Sequence, residues 1–151
     1  MKIKDCIEKT YCLYASDWHL TIMLLPFISK KLCEKDRIYM KFENSIEDKI
    51  KQLTNRLRIS NKDEINDISW NMEISDEDFC TNERIYIIAG SGEYMDDMNN
   101  KISQYYKNKD CKVSIINCFD VCAGAENSDL LTNRAYNKIL TTKGESIISS
   151  Q

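Results

Sequence analysis

Apolar and polar positions along this chain alternate between two periods, one suited to strands and one to helices. Tyr11-Cys12-Leu13-Tyr14-Ala15 is a short, aromatic-rich apolar run of strand length, closed by Ser16-Asp17, either of which can cap a following helix. Leu20, Met23, Leu24, Phe27, Ile28 and Leu32 then recur at helical spacing as one apolar stripe. Pro26 lies inside it. An interior proline removes a backbone hydrogen bond and costs about 3 kcal/mol, yet the stripe keeps phase across it, which predicts one kinked helix, with two short helices as the alternative. Arg37-Ile38-Tyr39-Met40-Lys41-Phe42 predicts a second strand. Ser45 and Asp48 make a capping pattern ahead of Ile46, Ile50, Leu53 and Leu57 at helical spacing. Ser60 and Asp63 repeat that pattern before a short helical turn, and Ile68-Ser69-Trp70-Asn71-Met72 alternates like a strand with one buried face. Glu73 to Glu83 is acidic and aperiodic, as in a mobile loop.

Arg84-Ile85-Tyr86-Ile87-Ile88-Ala89 is apolar on both faces, as a central strand of a parallel sheet requires. It ends at Gly90-Ser91-Gly92. A helix from Glu93 to Asn108 follows, with Tyr94, Met98, Ile102 and Tyr105 on one face, and then a strand from Lys112 to Phe119. Leu131, Ala135 and Ile139 align on a last helix from Asp129 to Thr142, with Gly144 at its C′ position. Strands alternating with helices over short connections predict a parallel sheet covered on both faces. The fold class read from residues 1–151 is α/β: a single three-layer Rossmann-like domain with a mainly parallel sheet of about five strands.

Length agrees, since 151 residues suit one core. The longest apolar stretch, Leu20 to Ile28, is interrupted by Thr21 and Pro26 and falls short of the roughly 20 residues that span a bilayer. Met1 to Lys9 mixes charges of both signs and leads into no apolar signal region. No membrane partner is expected, and the location expected is the cytoplasm. Seven cysteines, an odd number, are expected as buried thiols in a reducing compartment. Cys111, Cys118 and Cys122 contain no C-x-x-C pair and the chain has one His, so no tetrahedral metal site and no metal or organic cofactor is expected. The net charge of −3 is carried mainly by the second half. The densest basic clusters, Lys30-Lys31 and Arg56-Leu57-Arg58, fall at predicted helix ends, where cations complement the dipole, so nucleic acid is not an expected partner. Asp76-Glu77-Asp78 reads as a solvated loop.

In open α/β sheets ligands bind outside the carboxyl ends of the strands. The loops predicted there are Ser16-Asp17-Trp18-His19, Glu43-Asn44-Ser45, Gly90-Ser91-Gly92-Glu93 and Asp120-Val121-Cys122. Glycines at 90 and 92 let backbone N–H groups approach a ligand, and the helix N-terminus after them favours an anion. This is half of a dinucleotide fingerprint: the third glycine position holds Met95, and no Lys before Lys101 completes a P-loop. Asp120 could hold a ribose hydroxyl. Glu93, Asp96 and Asp97 crowd the same helix start and would repel phosphate, which equally fits a plain tight turn whose acids complement the dipole. Ser91, His19 and Asp17 supply the residue types of a hydrolase triad, although Ala-Gly-Ser-Gly-Glu is not the G-x-S-x-G elbow. His19 alone reads first as a capping or packed imidazole and second as a ligand contact.

His19 to Leu57, with Pro26-Phe27 and Leu32 in the first helix and Arg37-Ile38-Tyr39 opening the next strand, resembles the MEDS-type sensory domains. These are Rossmann- or RecA-like modules of bacterial and archaeal signalling proteins. The resemblance covers about a third of the chain; it implies ligand sensing and carries over no catalytic residue.

Three classes of function follow. The leading one is a small cytoplasmic sensory or ligand-binding protein that takes a small molecule or nucleotide among Asp17, Trp18, His19, Glu43, Gly90, Ser91, Gly92 and Asp120. The second is an enzyme acting on a nucleotide or nucleotide-derived signal, with the glycine turn as phosphate cradle and His19 or Asp17 as acid or base. The third is a homodimeric interaction protein, which predicts an exposed apolar patch and no pocket.

Overall fold

The structure is a computed structural model that describes residues 7–43, 46–57, 62–66, 68–70, 83–107, 111–121, 136 and 138–147. The predicted caps at Ser45 and Ser60, the loop 73–82, Cys122 and the span 129–135 lie outside these residues. In chain order the elements are β1 (Ile7–Tyr14), α1 (Asp17–Cys33), β2 (Arg37–Phe42), α2 (Glu47–Arg56), α3 (Lys62–Asn66), β3 (Ser69–Trp70), β4 (Arg84–Ala89), α4 (Gly92–Tyr105), β5 (Val113–Asp120), β6 (Lys138–Thr141) and β7 (Gly144–Ile147). They form an α/β structure around one sheet of order β3-β2-β4-β5-β1-β6-β7. Every pairing is parallel except the closing β6–β7 hairpin. Among the described residues no helix is long and apolar enough to cross a membrane.

Alternation along the strands sorts the core into two sets. Ile85, Ile87 and Ala89 of β4 join Ile116 and Cys118 of β5 and the inner residues of α1, α2 and α3. Tyr86 and Ile88 join Val113, Ile115 and Phe119 and the inner residues Met95 and Ile102 of α4. Successive strand side chains point to opposite faces, so α1 to α3 cover one face of the sheet and α4 the other. All six residues of β4 are buried, as its continuous apolar run predicts for a central strand.

Helix α1 runs unbroken through Pro26, so the single-helix reading stands rather than the two-helix one. Its N-cap is Ser16, whose Oγ accepts from the His19 N–H. It ends on Lys35 in the left-handed region (φ 67), with the Asp36 N–H reaching back to the Lys31 carbonyl and the Lys35 N–H to that of Leu32. This crossed pair of bonds closes the orphan carbonyls of the last turn.

Three expectations are corrected. Among the described residues the sheet has seven strands, not five. The two additions are β6, which occupies the end of the predicted last helix, and β7 beyond it: Lys138–Thr141 pairs in parallel with β1 and folds back through Thr142-Lys143 onto β7. Gly144, expected as a helix C′, opens β7 at φ +104. The four-residue spacing of Leu131, Ala135 and Ile139 suits a helix, but the open side of β1 supplies ladder partners that local periodicity does not register. Helix α2 starts at Glu47, with Ile46 as N-cap and no side-chain capping bond from it.

Candidate functional site

Strands β2 and β4 are hydrogen-bonded neighbours, yet the chain leaves β2 for α2 on one face and β4 for α4 on the other. Neighbouring strands whose connections part in this way open a crevice at their carboxyl ends. Glu43 stands on one side of it and Gly90-Ser91-Gly92 on the other, and the two touch. The Glu43 N–H donates to the Ala89 carbonyl (2.9 Å), and the Ser91 N–H donates to Glu43 Oε1 (2.8 Å). The turn is tight enough to need a glycine: a Cβ at position 90 would stand 2.7 Å from Tyr94 Cδ2 and 2.8 Å from Glu43 Cβ. Ser91 caps α4, its Oγ accepting from the Tyr94 N–H at 3.2 Å.

A carboxylate of the chain itself therefore sits at the glycine turn, beside the helix start that would attract an anion. A phosphate would have to displace Glu43 and then face Glu93. Tyr94, close by, has its phenol pKa raised by burial and, second, by the Glu43 charge.

Two strands further along the sheet, Tyr14 ends β1 opposite Asp120 of β5. The Tyr14 phenol is held neutral: burial raises its pKa, and the thiol of Cys118 and the carboxylates of Asp120 and Asp17 add to the effect in that order. Asp17 opens α1 and bridges to α2, its Oδ2 2.8 Å from Lys49 Nζ. His19 is turned back on its own loop, with Nδ1 accepting from the Ala15 N–H at 2.9 Å. In the neutral ring that bond places the proton on Nε2. Trp18, 42% exposed, precedes Ile22 by one turn on α1.

The eight residues predicted for a site thus separate. Glu43, Gly90, Ser91 and Gly92 form one contact group, and Asp17 and Asp120 flank Tyr14. His19 serves the α1 N-terminus, while Trp18 shares the row of α1 residues that includes Ile22. The triad types have local partners instead of each other: Ser91 with Tyr94, His19 with Ala15, Asp17 with Lys49.

Beneath α4 lies a group that sequence reasoning missed. Asn99 and Asn117, both buried, exchange amide bonds of 2.8 and 3.2 Å, and Asn117 Nδ2 also donates to the Tyr136 hydroxyl at 3.1 Å. Asn99 Nδ2 further donates to the Met95 carbonyl at 2.7 Å. In the sequence Asn117 is a polar residue between Ile116 and Cys118 of β5, and no local pattern links it to Asn99. The pair ties the helix that starts at the glycine turn to the sheet.

The described cysteines divide likewise: Cys12 and Cys118 are buried as expected, Cys111 is half-buried and Cys33 exposed.

No protein-family model, curated protein or solved structure matches this chain.

Proposed function

We propose that this chain is a regulatory ligand-binding protein of three-layer Rossmann-like type, cytoplasmic, taking a small polar molecule at the carboxyl ends of its strands. One observation carries the reading: Glu43 reaches from β2 across to the Ser91 N–H, at the place where the chain leaves β2 and β4 for opposite faces. Glu43, Asp17 and Asp120 make this rim rich in acceptors, and Lys49 partly offsets Asp17. The ligand chemistry that fits is a set of donors, hydroxyl or amine, as in a nucleoside, a sugar or a small amine, rather than a phosphate. The resemblance of residues 19–57 to MEDS-type sensory domains supports sensing over turnover. So do the local partners of His19, Ser91 and Asp17, which leave each of them occupied in capping or pairing.

The test is a thermal-shift screen pairing nucleosides, sugars and small amines with their phosphorylated counterparts. A ligand at 100 times its Kd stabilises by about 2.7 kcal/mol. The expected result is a rise in Tm with an unphosphorylated ligand that Glu43→Ala abolishes. A panel without effect, or a shift that survives Glu43→Ala, overturns the reading.

A further inference from the structure

Behind the rim, on the sheet face that α1 covers, three sulfur atoms from three elements come together. Cys12 of β1 and Met23 of α1 meet directly, the Cys12 Sγ donating to the Met23 Sδ at 3.8 Å. Cys118 of β5 is the register partner of Cys12 across the β1–β5 ladder, on the same face, and a hydrogen bond with Cys12, ahead of burial, pushes its thiol pKa up. All three side chains are buried in one core set. Among the described residues the three sulfurs have no hydrogen-bond partner but one another. Burial accounts for each of them singly, since a thiol or a thioether fills a core as a small apolar group does. It does not account for their convergence.

Sulfur is a weak hydrogen-bonding atom and a strong ligand for soft metals. Bonds from a first-row metal to sulfur are about 2.3 Å long, so two sulfurs 3.8 Å apart hold one ion between them at an ordinary bonding angle of about 110°. No harder donor set stands nearby: among the described residues no three His, Cys, Asp or Glu side chains converge to hold a metal. Zinc, which takes four ligands, and the oxygen-seeking ions are poorly served there, whereas two thiolates and a thioether suit Cu(I). One step further along the two strands, on the same face, are Tyr14 and Asp120 at the rim. The sulfurs thus lie about 7 Å below a rim whose carboxylates, Asp17 and Asp120, draw cations.

We propose that Cys12, Cys118 and Met23 form a Cu(I) site. On binding, each thiol releases its proton to solvent, and the two thiolates and the thioether take the ion, which stays Cu(I) throughout. The Glu43–Ser91 crevice takes no part, so this site and the ligand site stand or fall separately. The spacing of the cysteines gives no sign of it, since the sulfurs come from β1, α1 and β5 and no C-x-x-C pair is involved.

Copper retention by the full chain tests it, with the thiols reduced, oxygen excluded and Cu(I) supplied as a coloured chelate that competes for the ion. The wild type is expected to draw one equivalent from the chelate, with X-ray absorption showing sulfur neighbours only. Cys12→Ala and Cys118→Ala are each expected to lose that equivalent, while Cys33→Ser and Cys111→Ser, at an exposed and a half-buried thiol, keep it. Met23→Leu preserves the core volume and is expected to weaken retention by at least the roughly tenfold that the outer partners of a metal site are worth. A wild-type chain that takes no copper overturns the proposal, including one that instead joins Cys12 to Cys118 as a disulfide when air is admitted. Oxygen or nitrogen neighbours at the copper, or an equivalent lost with Cys33→Ser or Cys111→Ser, overturn it as well. So does retention unchanged in Met23→Leu, the variant that decides the matter where far-UV circular dichroism shows the alanine variants unfolded.

Discussion

The crevice at the strand ends and the groove between α1 and α2 are both open to solvent, but they differ in how their surfaces are answered. In the crevice Glu43 is met by Ser91, and two strands further along the same rim Asp17 is met by Lys49 and His19 Nδ1 by Ala15. The groove presents Ile22, Leu25, Pro26, Leu53 and Leu57, for which a hydrogen bond offers nothing. A polar crevice whose groups already hold partners binds by exchange, so a ligand must match the geometry of the bonds it replaces. An apolar groove gains from any shape that removes it from water, and selectivity there comes from fit and from charges at its ends.

The contrast can be broken from the crevice side first. Asn117→Leu removes the partner of Asn99 beneath α4 and leaves a buried amide half-satisfied; a loss of about 2–3 kcal/mol is expected in urea unfolding, with the Glu43–Ser91 contact loosened along with α4. Gly90→Ala pushes a methyl against Tyr94 and Glu43, and about 1–3 kcal/mol is expected, the sign of overpacking where the neighbours are backbone-anchored. Glu43→Ala withdraws a carboxylate from the start of α4 and should cost about 0.3–1 kcal/mol.

The same carboxylate gives a pH test. The Tyr94 phenol is raised above its ordinary 10.0 by burial and then by Glu43. The folded chain therefore keeps this proton where the unfolded chain has lost it, and stability falls as pH rises past that ordinary value. Glu43→Gln should bring the phenol down in an ultraviolet titration and flatten the alkaline decline; an unmoved phenol would separate Glu43 from Tyr94. Asp17→Asn, at an exposed ion pair, should change stability by less than about 0.5 kcal/mol. Ile22→Asp belongs at the same small end, measured by urea midpoint, because Ile22 is 53% exposed.

Legibility in the sequence follows the source of each element's stability. Strands β2 and β4 begin and end where their patterns say, because four apolar residues of six in β2 and five of six in β4, with turn residues beyond them, admit one placement. β1 begins at Ile7, four residues before its apolar run, since Glu8, Lys9 and Thr10 are held by the ladder to β5 and not by apolar character of their own. Periodicity reads β6 as the end of a helix because its place depends on the free side of β1. The glycine turn, Glu43 and Asp17 were visible as polar residues at predicted strand ends. That Glu43 fills the turn while His19 bonds back to Ala15 and Ser91 caps α4 depends on distances no periodicity contains.

By itself, then, the order of residues determined the alternation of strands and helices, the central position of β4 and the buried stripe of α1, since these rest on period and on contacts within a few residues. Only the tertiary structure decided that β2 and β4 lie side by side with their helices on opposite faces, that an acid of one meets the backbone of the other, and that α2 stands far enough from α1 to leave a groove. Each of these joins residues tens of positions apart, Glu43 and Ser91 among them. Their meeting is set by the packing of the whole sheet and not by any local preference of the chain.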